Sequence, residues 1–139
     1  MDYNVFSTTG NIVRKEIEHM LKRILIADDQ MATREAMAKH ATNRGYDVVT
    51  VTNGDELLDI ASQVRFDLVI TDIIMPGLNG AVATESMKLQ GCTTPIIALT
   101  GLSPQDVSLV QTEFNKIYHK PINVDELFEY VDSLFTKKA

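Results

Sequence analysis

The chain predicts an α/β domain: a five-stranded parallel sheet, doubly wound, with helices on both faces. Three observations carry that prediction. Three short apolar runs, Arg23-Ile24-Leu25-Ile26-Ala27, Asp67-Leu68-Val69-Ile70-Thr71 and Pro95-Ile96-Ile97-Ala98-Leu99, are nearly continuous rather than alternating. Continuous runs suit strands that are covered on both sides. Segments of helical length and period separate the runs, and strand and helix then alternate five times with short connections. That order implies parallel strands joined by right-handed crossovers.

Composition fits one domain of this kind. A chain of 139 residues with 45% hydrophobic and 23% charged residues has enough apolar material for a single core and no sign of global disorder. A net charge of −6 and a pI near 4.9 argue against nonspecific binding to nucleic acid or an anionic membrane, since both would repel it. The lone cysteine, Cys92, excludes an intrachain disulfide and a cysteine-based zinc cluster, and reads as a small apolar or loop residue. No apolar run approaches the ~18 residues that a membrane span needs. The start Met1-Asp2-Tyr3-Asn4 lacks the basic and apolar regions of a signal peptide. The expected location is the cytoplasm.

Taken in order, residues 1–19 form an extension outside the alternating pattern, and 20–139 form the domain. Asn11 to Arg23 has the spacing of a helix, with Val13, Ile17, Met20 and Leu21 on one side. Such a helix would pack on its own domain or serve a dimer or partner contact. The first strand runs into Asp28. Met31 to Arg44 is the first regular helix, with Met37, His40 and Ala41 facing inward and Gly45 as its C-cap. Asp47-Val48-Val49-Thr50-Val51 is a weaker strand whose mixed polarity fits a sheet edge. Asp55 to Gln63 places Leu57, Leu58 and Ala61 together, and the second apolar run then leads to Asp72. Ala81 to Gln90 offers Val82, Ser86 and Leu89 at helical spacing, followed by Gly91. The third run ends at Thr100. Ser103 to Glu113 begins with an N-cap serine and a proline at the first helical position. Lys116-Ile117-Tyr118-His119 is the other edge strand. Asn123 then caps a helix with Glu126 at N3 and a core stripe of Val124, Leu127, Val131 and Leu134.

In open parallel sheets the ligand site lies beyond the carboxyl ends of the strands. There the first strand delivers Asp28 and Asp29, the third Asp72, the fourth Thr100 and the fifth Lys120. One acidic residue after a strand is commonly a solvated helix cap; five polar groups arriving from four strands ask for a shared purpose. Three crowded carboxylates repel one another unless a divalent cation sits among them. Oxygen ligands without histidine or thiolate suit Mg²⁺. The cation and the Lys120 ammonium together would offset the charge of an incoming phosphoryl group, and a carboxylate is a competent nucleophile for such a transfer.

These landmarks resemble the receiver domain of two-component response regulators. The matching stretches are Ile24-Leu25-Ile26-Ala27-Asp28-Asp29, Asp67 through Gly80 with Asp72-Ile73-Ile74-Met75-Pro76-Gly77 at its centre, Pro95 through Gly101, and Lys120-Pro121, all in the family's order over roughly residues 20–136. The resemblance implies a flavodoxin-like strand order of 2-1-3-4-5 and Asp72 as phosphoacceptor. It also implies Mg²⁺ held by Asp28, Asp29, Asp72 and the backbone carbonyl of Ile74. Thr100 would bond a phosphoryl oxygen, and Lys120, aimed by a cis Lys120-Pro121 peptide, would pair with Asp72 or its phosphate. A histidine kinase or histidine phosphotransfer protein would be the donor. The output would be a phosphorylation-biased protein surface rather than turnover of an external substrate.

The sequence departs from the family pattern in three places. Ile117 stands where an aromatic residue often lies, and Tyr118, one residue on, points to the opposite face. The stretch from Thr100 to Lys120 is about two residues short and lacks a Gly-Ala before the fifth strand, so the fourth helix or its following loop should be short or irregular. Ile74 is apolar where polar groups in the family assist attacking water, which implies a longer-lived phosphoryl group. His19, His40 and His119 show no metal or triad spacing and read as packed or surface residues. Met31, Met37, Met75 and Met87 read as core or loop packing.

Other classes fit less well. A haloacid-dehalogenase-type phosphatase uses a second aspartate two residues after the nucleophile, where Ile74 stands here. A flavodoxin-like cofactor binder wants a phosphate loop after the first strand, and Asp28-Asp29-Gln30 would repel phosphate without a metal. A degenerate receiver, binding partners without phosphorylation, is the alternative within the family. The chain ends soon after the fifth helix, so a stand-alone receiver is expected, and a fragment of a hybrid kinase is the other origin.

Overall fold

The computed structural model describes residues 22–136, and the N-terminal helix expected over 11–23 falls almost wholly outside that range. Five parallel strands, β1 (Arg23–Ala27), β2 (Asp47–Val51), β3 (Leu68–Asp72), β4 (Ile96–Thr100) and β5 (Lys116–His119), form one sheet in the order β2-β1-β3-β4-β5. The helices are α1 (Met31–Asn43), α2 (Gly54–Gln63), α3 (Gly80–Leu89), α4 (Pro104–Val107) and α5 (Val124–Phe135). The expected fold class and strand order are both present.

The continuous apolar runs are explained by burial on two faces. Ile24, Ile26, Ile70, Ile97 and Leu99 point to one side, where they meet Met37 and Ala41 of α1 and Leu127, Phe128 and Val131 of α5. Leu25, Ala27, Val69 and Ile96 point to the other, against Leu57 of α2 and Ala83 and Met87 of α3. β3 and β4 are buried throughout, while β2 and β5 at the edges are partly exposed, as their mixed polarity indicates. Ile117 packs with Ala98 and Phe114 in a third cluster, and Tyr118 lies on the opposite face beside Tyr130.

Helix ends follow their local chemistry. Gly45 and Gly91 take positive φ values of 95° and 91° just after α1 and α3, the left-handed conformation that glycine adopts without a Cβ penalty. The side chains of Ser103 and Asn123 accept the backbone N–H of Asp106 and Glu126. Asn53 and Asn79 cap α2 and α3 in the same way. Among the described residues, no helix is long and apolar enough to cross a membrane.

Two helices depart from what their sequences suggest. The inner face of α3 is not Val82, Ser86 and Leu89; Val82 and Leu89 are 46% and 85% exposed, and the buried positions are Gly80, Ala81, Ala83, Thr84 and Met87. The helix lies so close to the strand ends that small residues, rather than the most apolar ones, must face the sheet. A Cβ at Gly80 would stand 2.0 Å from the carbonyl oxygen of Asp72.

The fourth helix does not extend from Ser103 to Glu113 but ends at Val107. The N–H groups of Leu109 and Val110 bond back three residues, to Asp106 and Val107. The chain then passes alongside α3, where the Thr112 hydroxyl donates to the Ala81 carbonyl and the Lys88 ammonium to that of Glu113. Asn115 exchanges two hydrogen bonds with the backbone of Ile96 at 2.8 Å. Extended chain advances about 3.3 Å per residue against 1.5 Å in a helix, so a shortened connection reaches the start of β5 by leaving the helix early. The expected irregularity before β5 is therefore present, and it consumes most of the helix.

Candidate functional site

Strand register brings the polar groups to one edge. Ala27 pairs with Thr71, so Asp28 and Asp72 follow side by side, and Asp72 pairs with Leu99, one residue before Thr100. Thr100 pairs with His119, and the next residue, Lys120, donates its N–H to the Thr100 carbonyl at 2.7 Å. The Lys120-Pro121 peptide is cis, as expected.

Lys120 Nζ is the hub. It lies 2.6 Å from Asp72 Oδ2, 2.9 Å from Gln30 Oε1 and 3.2 Å from Asp28 Oδ2. Asp72 is 5% exposed and also accepts the N–H of Ile74 on Oδ1 at 3.1 Å. Asp28 is fully buried; its Oδ1 accepts the N–H of Gln30 at 2.8 Å. Its Oδ2 is close to the Lys120 ammonium but receives no well-directed hydrogen bond.

Charge and burial compete here. Burial raises the Asp72 carboxyl pKa above the ordinary aspartate value and outweighs the hydrogen bond and charge of Lys120, with the neighbouring Asp28 charge adding to the rise. For Lys120, burial works against the ammonium, yet the hydrogen bond and charge of Asp72, joined by Asp28, hold its pKa above the usual lysine value.

Oxygen atoms of Asp28, Asp29 and Asp72 all lie within 4.8 Å of one another. One carboxylate is exposed, two are buried, and one buried oxygen lacks a directed partner. That donor set fits a hard divalent cation better than it fits three mutually repelling anions. Among the described residues no histidine or thiol joins the cluster: His119 is exposed, and His40 stacks on Phe128 with a ring separation of 6.2 Å.

Of the residues singled out from the sequence, Asp28, Asp29, Asp72 and Lys120 converge directly. Thr100 is fully buried at the end of β4, where its hydroxyl accepts the Leu102 N–H at 2.9 Å. Ile74 meets Asp72 through its N–H, with a side chain 54% exposed. Two contributors escaped the sequence reading. Gln30 directly follows the aspartate pair, but nothing local marks its side chain as a partner for a lysine 90 positions away. Gly80 sits behind Asp72, and its donation to the Ile73 carbonyl at 2.8 Å tightens the loop.

Comparison with known proteins agrees with this geometry. The family model for the response regulator receiver domain matches residues 24–132. The sporulation initiation phosphotransferase F of Bacillus subtilis is 30% identical over 122 residues, covering 86% of this chain and 98% of that protein. The crystal structure of the response regulator TrrA of Thermotoga maritima, in complex with Mg²⁺ and BeF, is 34% identical with a TM-score of 0.74, covering 82% of this chain and 99% of that one. The receiver domain of a signal transduction histidine kinase from Syntrophus aciditrophicus is 31% identical with a TM-score of 0.76, covering 85% and 94%. Other curated relatives are longer: the chain spans 22% of the transcription factor SKN7 of Candida albicans and 56% of the transcriptional regulator ycf29 of Cyanophora paradoxa. A family match over that span, on a sheet of this order with its acidic edge intact, places the chain among the response regulator receiver domains.

Proposed function

We propose that the protein is a phosphoacceptor that takes a phosphoryl group on Asp72 from a histidine kinase or histidine phosphotransfer protein and thereby changes its contacts with another protein. The observation that carries this reading is the 2.6 Å contact between Lys120 Nζ and a nearly buried Asp72 inside a three-carboxylate cluster. An oxygen of Asp72 attacks phosphorus, the bond to the donor breaks, and its electron pair leaves with the donor. Asp28, Asp29 and the Ile74 carbonyl would hold Mg²⁺, which supplies charge neutralisation for the phosphoryl oxygens when bound. Lys120 offers a second positive charge, and Thr100 stands one residue beyond the partner of Asp72 to receive a phosphoryl oxygen.

The domain assists its own modification and does not turn over an external substrate. The name of one relative, a sporulation initiation phosphotransferase, supports a place in a phosphorelay. Action in the cytoplasm as a stand-alone receiver, without direct nucleic-acid or membrane contact, is proposed on the net negative charge of the chain. Residues 1–19 are proposed to serve a dimer or partner contact. The exposed aliphatic side chain of Ile74 offers nothing to orient a hydrolytic water, so the phosphoryl group is long-lived; its loss within seconds in purified protein would contradict this.

The test is intact mass after incubation with acetyl phosphate, with and without Mg²⁺, for the wild type and Asp72→Asn. A gain of one phosphoryl group, dependent on Mg²⁺ and absent in the variant, is expected. A folded wild type that gains none, even when quenched rapidly, would reduce the protein to a phosphorylation-independent binding module.

A further inference from the structure

Gln30 occupies a position where its helix gains little from it. It is the N-cap of α1, yet its side chain makes no capping bond, and the first turn of α1 holds no acidic residue. Serine, threonine, aspartate or asparagine would each serve the helix better there. The other long helices, α2, α3 and α5, all begin with an asparagine that caps. The side chain of Gln30 instead reaches Lys120 Nζ at 2.9 Å.

Its backbone is fixed from several directions. The Gln30 N–H donates to Asp28 Oδ1 at 2.8 Å, and its carbonyl accepts the Arg34 N–H at 2.9 Å. The Arg34 guanidinium in turn donates to the Asp28 carbonyl at 2.9 Å. The amide therefore extends toward Lys120 from an anchored base. An ammonium has three N–H donors. Here they face three oxygens, from Asp72, Asp28 and Gln30, of which only the last is uncharged. A neutral acceptor constrains the ammonium without adding a fourth negative charge beside an incoming phosphoryl group.

We infer that Gln30 is a positioning residue for phosphoryl transfer: its amide oxygen fixes the Lys120 ammonium over Asp72. The inference rests on the phosphoacceptor reading above. It predicts opposite failures for two near-isosteric variants. Gln30→Met keeps length and loses the acceptor, which loosens Lys120. Gln30→Glu keeps the acceptor and adds charge, which binds Lys120 more firmly but repels the phosphodonor.

The test follows phosphorylation by acetyl phosphate at saturating Mg²⁺, together with hydrogen exchange of the Lys120 ammonium by nitrogen-detected NMR in the metal-free protein. Gln30→Met is expected to slow modification by about tenfold or more, the loss of one hydrogen bond to a charged group, and to speed ammonium exchange. Gln30→Glu is expected to slow modification while ammonium exchange becomes slower than in the wild type. In a Lys120→Ala background the Gln30→Met change should have no further effect on the residual rate. A defect that persists undiminished in that background, or Gln30→Met matching the wild type in both measurements, would overturn the inference while leaving the phosphoacceptor reading intact. A wild type that takes no phosphoryl group would remove both, and the mass measurement separates that case.

Discussion

At the scale of single residues, the interior formed by the described residues holds one polar group that its surroundings do not satisfy and that has no place in the site. Thr84 on α3 is fully buried, and its hydroxyl has no hydrogen-bond partner among the described residues. An unpaired buried hydroxyl costs about 1–3 kcal/mol, and replacing it with a methyl group of similar volume removes that cost. Thr84→Val should therefore stabilise the fold by about 1 kcal/mol, read as a higher urea midpoint at unchanged slope. A lower midpoint would mean that the hydroxyl is paired in solution. The contrast with Asp28 is informative. Asp28 Oδ2 is also buried without a directed bond, but it faces a lysine and two other carboxylates at the strand ends. The same local deficiency reads as a fold defect in one place and as ligand capacity in the other, because of what surrounds it.

At the scale of elements, α3 connects the fold to the site most directly. Gly80 opens this helix, and a Cβ there would meet the Asp72 carbonyl oxygen at 2.0 Å and Thr71 Oγ1 at 2.9 Å. The nearer atom is backbone of the central strand β3 and cannot rotate away. Gly80→Ala should cost about 2–3 kcal/mol or more, read by denaturant unfolding, and the displaced loop should also slow modification of Asp72. Retention of wild-type stability would show that α3 can shift without cost.

This close approach also explains what the sequence did and did not reveal. Strand runs, helix order and the site aspartates were legible because each follows from local period or from placement after a strand. The inner face of α3 was not, because hydropathy favours Val82 and Leu89, whereas backbone proximity selects Gly80, Ala81, Ala83 and Thr84. The early end of α4 was legible only as a shortage of residues. Its extent depends on docking of Val110, Thr112 and Phe114 along α3 and the sheet, which involves partners distant in sequence. Gln30 escaped for the same reason, since its partner follows the last strand.

At the scale of the whole molecule, the acidic edge couples stability to pH and to divalent cation. Burial holds the Asp72 carboxyl pKa above its ordinary value of 3.8, so in the metal-free native state the carboxyl keeps its proton to a higher pH than in the unfolded chain. A raised folded value contributes stability that is complete below the unfolded value and is lost as pH rises through the folded one. Other groups titrate in the same range, so the contribution is isolated by comparing the wild type with Asp72→Asn, which carries no proton to lose. In chelator, the stability of Asp72→Asn relative to the wild type should increase as pH rises from below 3.8 through the elevated folded value, then level off. Mg²⁺ reverses the argument, because it binds the native cluster and finds no such cluster in the unfolded chain. At a hundred times its dissociation constant a ligand of this kind stabilises by about 2.7 kcal/mol. Thermal unfolding at neutral pH should show the wild type gaining about that much, with Asp72→Asn gaining less because one of its three carboxylates is gone. Equal responses from both proteins would place the cation elsewhere on an acidic surface, and no response from the wild type would deny that these three carboxylates form a metal site.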